Sequence, residues 1–89
     1  KGTIETAYTI LNGEYEVIEA EIIETSELIN KELKNSNLPD EIRIGAILRQ
    51  DKVIIPRSNF IFKKDDRVVF LAKKDSISVV ENIFRISSI

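Results

Sequence analysis

The side chains able to do chemistry in this chain are few and of a narrow kind. It has no histidine and no cysteine, which removes the commonest general base, the commonest metal ligand, thiol chemistry, disulfides and cysteine-based metal sites. Three arginines, Arg43, Arg49 and Arg57, flank the best-patterned stretch, IRIGAILRQDKVIIP at 42–56. Guanidinium forks suit phosphates and carboxylates, so these three are the ligand-contact candidates, set against the plainer reading of a solvated face. The carboxylate pairs Asp40-Glu41 and Asp65-Asp66 have the chemistry for a hard cation, although adjacent carboxylates in turns are far more often solvated. A serine nucleophile needs an adjacent base, and here only a carboxylate or a lysine could serve. Ser26, Ser36, Ser58, Ser76, Ser78, Ser87 and Ser88 mostly fall at expected caps, turns or the tail. The three glycines, at 2, 13 and 45, are isolated and make no phosphate loop. No catalytic residue, cofactor site or metal site is expected, and the chain reads as a non-enzyme.

Elements must position even these few groups. Residues 3–11 put Ile4, Thr6, Tyr8 and Ile10 on one side of an extended segment, and Asn12-Gly13 is a strong turn signal. In YEVIEAEII, Ile18, Ala20 and Ile22 alternate with glutamates, as in a strand with one wet face. Thr25 or Ser26 can cap a helix over residues 27–34 with Leu28, Ile29 and Leu33 on its apolar stripe, and NSNLPDE ends it. The stretch 42–49 follows as a strand with Ile42, Ile44, Ala46 and Leu48 on one face and Arg43, Gly45, Ile47 and Arg49 on the other. Gly45 suggests close approach of a neighbour. After a turn at Gln50-Asp51-Lys52, a strand returns through Val53 to Ile55 and stops at Pro56, which has no N–H to donate.

RVVFLA, apolar on both faces, has the character of a central strand. Asp75 or Ser76 starts a last helix with Ile77, Val80 and Phe84 in its stripe, widened by Val79 and Ile83. The aromatics Phe60, Phe62, Phe70 and Phe84 belong to the core. The order strand, helix, three strands, helix has connections too short for parallel crossovers. The expected fold is α+β: a mainly antiparallel sheet with two helices packed on it.

The 89 residues allow one domain with one core. A net charge of −2 conceals an asymmetry: residues 1–41 carry 3 basic and 10 acidic side chains, net −7, and residues 42–74 carry 9 basic and 3 acidic, net +6. Either acidic and basic strands neutralise each other or the basic half receives an anion. Nucleic acid is not an expected partner, because aromatics do not interleave with the basic residues. The longest apolar run, Val68 to Ala72, is five residues, against about 20 for a membrane span, so no membrane insertion is expected. The absence of methionine and the start on Lys1 suggest a piece of a longer protein. Apolar positions opposite the expected core, Ile47, Val69 and Leu71, point to dimerisation.

Taken together, Gly45-Ala46-Ile47, Arg49, the apolar Val53 to Pro56 and Asp66-Arg67-Val68 carry a resemblance. In order and spacing they resemble the TrkA C-terminal (RCK-C) domain of potassium-transport regulators, over residues 15–85. The resemblance implies the α+β fold reached above, assigned to residues 15–89. It also implies homodimerisation and an upstream Rossmann domain, absent here, that binds NAD or ATP. Residues 1–14 would be the connection to that domain. The parent would be a cytoplasmic peripheral subunit controlling a membrane potassium transporter. Two turn positions depart from the family: Gln50-Asp51-Lys52 lacks the hairpin glycine, and Asp65 replaces the glycine before the last strand. Some relatives bind cyclic di-AMP between paired domains through polar residues around the connection that here reads LKNSNLPDEIRI, which shows no match to that branch. The alternative function is a small-anion or nucleotide-binding regulatory domain of another transporter or channel, contacted by Arg43, Arg49 and Arg57.

Overall fold

Arg67–Lys73 is apolar on both faces because it lies mid-sheet with a neighbour on each edge. A computed structural model describes the backbone of residues 4–10 and 12–84 and the side chains of residues 12–84. The strands are β1 (Ile4–Ile10), β2 (Tyr15–Glu21), β3 (Ile42–Arg49), β4 (Lys52–Ile54) and β5 (Arg67–Lys73), followed by the helix α1 (Ile77–Phe84). They form one sheet in the order β1-β2-β5-β3-β4, with every neighbouring pair antiparallel. The expected α+β architecture is present. The faces expected of Ile4, Thr6, Tyr8 and Ile10, and the tail serines Ser87 and Ser88, lie outside the described side chains.

The inner face of the sheet carries Ile18 and Ala20 from β2, Val68, Phe70 and Ala72 from β5, and Ile42 and Ile47 from β3, all buried. Leu28, Phe62, Val80 and Phe84 cover it from outside the sheet and are themselves fully buried. The Phe84 ring stacks on Phe70 at 5.1 Å between centroids, which anchors α1. Burying side chains of this size stabilises by roughly 1.5–3 kcal/mol each. Val79, expected to widen the helix stripe, is instead exposed, and the buried stripe is Val80, Ile83 and Phe84.

The expected helix over residues 27–34 does not form, and α1 is the single α-helix among the described residues. With no helix to cap, Ser26 instead forms a turn: its Oγ accepts from the Leu28 N–H at 3.1 Å and donates to the Ile83 carbonyl at 3.0 Å. The chain then leaves the helical path at Asn30, whose φ is 66°. From there on, several backbone groups pair with residues 58–62 in place of a continuous helical ladder. Asn30 N–H donates to Phe62 O (2.8 Å), Phe62 N–H to Lys31 O (3.0 Å), Leu33 N–H to Phe60 O (2.8 Å) and Lys34 N–H to Ser58 O (2.9 Å). A short 3-10 turn, Leu33–Asn35, closes the segment. An eight-residue helix is marginal alone; the long-range pairing satisfies the same backbone groups and also buries Leu28 and Phe62.

β3 departs from simple alternation. Its register on β5 runs Ile42↔Ala72, Arg43↔Leu71, Ile44↔Phe70 and then Ala46↔Val69, Ile47↔Val68, so the strand bulges at Gly45. The extra residue reverses the alternation. Ile47 therefore enters the core at 0% exposure, contrary to its expected place on the opposite face, while Ala46 and Leu48 turn outward. Gly45 is not squeezed: a Cβ there would meet Val69 O at 3.6 Å, an ordinary contact. The β3–β4 turn places Gln50 at φ 50° and Asp51 at φ 65°, and Asp65 has φ 73°. The two departures from the family pattern are thus accommodated by left-handed non-glycine residues.

Candidate functional site

Polar groups gather in two places, and the three arginines are divided between them. Arg49, at the end of β3, reaches the turn that precedes β5. Its Nε donates to Asp66 Oδ1 and its Nη2 to Asp66 Oδ2, both at 2.6 Å. Nη2 also donates to the Ile61 carbonyl at 3.0 Å, and the guanidinium lies 4.9 Å from the Phe60 ring centroid. Asp66 is 1% exposed and takes a further bond from the Lys63 N–H at 2.8 Å. The hydrogen bond to Asp66 raises the Arg49 pKa, burial works against it, and the Asp66 charge adds to the rise. Arg49 therefore stays charged and serves as a clamp between β3 and residues 60–66.

That clamp has a structural consequence. By holding residues 60–62 it holds the strip that pairs with residues 30–34, and so positions the connection running on to β3. This connection borders an open cavity of about 330 Å³ lined among others by Lys34, Asn37, Leu38, Asp40, Arg43 and Ile44. Arg43 is exposed. Arg57 is exposed too and precedes Ser58, whose carbonyl receives the Lys34 N–H. The structure thus places Arg43 at the cavity, Arg49 in the clamp and Arg57 on the neighbouring loop, so the three do not form one cluster. Asp66 was legible as part of the Asp-Arg-Val signature, but its burial was not. Lys34 and Asn37 lie in the connection LKNSNLPDEIRI that the family resemblance pointed to, but neither was singled out as a contact, and their place beside Arg43 comes from the fold of that loop.

Chemically, the cavity offers two cationic groups, one carboxylate and one amide, an arrangement for holding an anion by charge and hydrogen bonds. Among the described residues no group of three or more carboxylates could hold a metal ion. Gly13 lies in the β1–β2 turn and Gly45 in a strand bulge, neither at the head of a helix. The described glycines therefore do not form the phosphate-cradling turn at a helix N-terminus that dinucleotide-binding folds use.

The family model for the TrkA-C domain matches residues 17–85. The chain belongs to the TrkA-C domain family. Its curated relatives include the Trk system potassium uptake protein TrkA of Azorhizobium caulinodans, 39% identical over 87 residues, covering 98% of this chain and 19% of that protein. A TrkA homolog of Archaeoglobus fulgidus is 38% identical over 64 residues, covering 72% of this chain and 15% of that protein. The chain thus spans about a fifth or less of the length of these relatives. Among solved structures, the RCK_C domain dimer of S. agalactiae BusR in complex with c-di-AMP superposes with a TM-score of 0.71. It is 22% identical and covers 84% of this chain and 96% of that one, a likeness of fold.

The TrkA-C signature residues have physical roles here. Gly45-Ala46-Ile47 is the bulge that returns Ile47 to the core, and Arg49 with Asp66 is the clamp. Arg67 pairs with Glu19 across β5 and β2 at 2.6 Å. The family is a regulatory one, and no helix among the described residues is long and apolar enough to cross a membrane.

Proposed function

We propose that residues 15–89 are the regulatory, dimerising domain of a cytoplasmic subunit that controls potassium transport through a membrane transporter. Residues 1–14 would connect it to an upstream domain that binds NAD or ATP. The observation that carries this reading is the TrkA-C match across residues 17–85. Such a module does no chemistry. It acts by packing differently in two states of its assembly and so biases a gate, and a ligand contributes only through its differential affinity for those states. The test is potassium flux in cells carrying the parent protein with and without residues 15–89. Loss of regulated flux is expected; unchanged regulation by the truncated protein refutes the role.

The cavity beside Arg43 favours a second reading, a domain that responds to a small anion or nucleotide. Lys34 and Arg43 would supply the charge, with Arg57 on the adjoining loop and Arg49 holding the wall in place. Thermal shift with inorganic phosphate, ATP and cyclic di-AMP tests it. A shift that disappears in Arg43→Ala supports the reading, and no shift with any of the three at millimolar concentration overturns it.

A further inference from the structure

The sheet ends at β4, whose far side carries no strand among the described residues. The register there is Arg49↔Lys52, Leu48↔Val53 and Ile47↔Ile54, around a two-residue turn with Gln50 and Asp51 both at positive φ. In such a hairpin the pair next to the turn exchanges both backbone hydrogen bonds, and the following pair exchanges none. The Val53 N–H and C=O therefore point away from β3, toward the open edge. Ile55, held extended by Pro56, repeats that orientation two residues on. Among the described residues, no backbone hydrogen bond outside the strand ladders engages Val53 or Ile55. The edge thus presents N–H donors and C=O acceptors at two alternating positions.

Proteins commonly blunt such an edge with charged side chains, a proline or a very short strand. β4 is short and Pro56 ends it, yet the side chains at the two open positions are apolar. Val53 is 67% and Ile55 71% exposed, the two most exposed large hydrophobic residues among those described. Leu48, turned outward by the bulge at Gly45, lies beside Val53 and widens the strip. Cations stand at both ends: Lys52 immediately before Val53 and Arg57 immediately after Pro56, both exposed. Asp51 lies beyond Lys52 in the turn, outside the open backbone groups. We propose that the β4 edge takes up an extended acidic segment of a different protein, which adds to the sheet as a further strand. In this mode main-chain hydrogen bonds give affinity and alternate side chains give specificity. Antiparallel addition sets two apolar residues of the segment against Ile55 and Val53 and a third residue against half-buried Ile54. A carboxylate then faces Lys52 across the strands, and another reaches Arg57. The segment recognised reads acidic, apolar, any residue, apolar, acidic. The inference rests on neither the dimeric reading nor the cavity beside Arg43.

The experiment is an amide NMR titration of the isotopically labelled 89-residue chain with the peptide acetyl-Glu-Val-Thr-Ile-Asp-amide. Shifts are expected at the Val53 and Ile55 amides and their neighbours, saturating below about 5 mM peptide. Val53→Pro removes an N–H that faces away from β3, so the β3 ladder is kept. It is expected to weaken binding by at least about 10-fold with the rest of the spectrum unchanged. Ile55→Pro, one residue outside β4, makes the same test if Val53→Pro does not fold. A peptide with lysine at both ends is expected to bind at least about 10-fold more weakly, and to recover to within about 3-fold on the double variant Lys52→Glu, Arg57→Glu. Edge shifts that survive removal of the N–H refute strand addition. Equal binding of the two peptides refutes the acidic partner. Absence of edge shifts, or shifts confined to the cavity beside Arg43, refutes the site. Protection of the Val53 and Ile55 amides that grows with protein concentration in the absence of peptide also overturns the proposal, because a second copy then occupies the edge.

Discussion

Cutting the Arg49–Asp66 clamp from either side should hurt unequally, because the two partners differ in burial. In Arg49→Ala, the Asp66 carboxylate is left 1% exposed with the Lys63 N–H as its remaining donor. Removing one partner of a fully buried ion pair costs 3–5 kcal/mol. Arg49 is 31% exposed, so water already shares that side, and the expected loss falls to about 2–4 kcal/mol. In Asp66→Asn, the orphan is the half-exposed guanidinium, which solvent can serve, and the expected loss is about 1–2 kcal/mol. The double variant should lose less than the sum by about 1–2 kcal/mol, the coupling between the two groups. Urea unfolding at fixed protein concentration, with an unchanged m-value, measures all three. An Arg49→Ala cost under about 0.5 kcal/mol, or additivity within about 0.3 kcal/mol, would refute the clamp. The pH sign follows from the raised Arg49 pKa. A raised folded value stabilises fully below the ordinary arginine pKa and is lost only as pH rises through the folded value. The Arg49 contribution should therefore stay flat through the neutral and mildly alkaline range, read as a constant difference between wild type and Arg49→Ala.

Two further substitutions test the backbone. Gly45→Ala should be neutral or stabilise by up to about 1 kcal/mol, since its Cβ finds ordinary contact and the unfolded chain loses freedom; thermal unfolding that shows a loss above about 1 kcal/mol would mean that the bulge demands glycine. Asp51→Gly and Asp65→Gly should each raise stability by about 0.5 kcal/mol, because both residues sit at positive φ where glycine is unstrained; destabilisation of both in the same assay would show that the aspartate side chains support these turns.

Much of this was legible in the residues themselves. Alternation in YEVIEAE, the two-faced apolar RVVFLA and the 3.6-period stripe after Ser76 each report burial directly, since side-chain direction follows from the local backbone. The misread elements share one cause. Residues 27–34 have a helical stripe, yet their backbone groups find partners in residues 58–62, a contact that no local window contains. At Gly45 one unpaired residue inverts every later side chain of the strand, which moves Ile47 into the core.

The sequence by itself determined the class of the protein: antiparallel strands, a closing helix, a family signature, and neither histidine nor cysteine. Local pattern and residue type suffice for that. Only the tertiary structure decided how the three arginines divide, with one locked in a clamp, one at a cavity and one on a loop. Long-range pairing and the phase of one bulge set those positions, and both depend on neighbours distant in the chain.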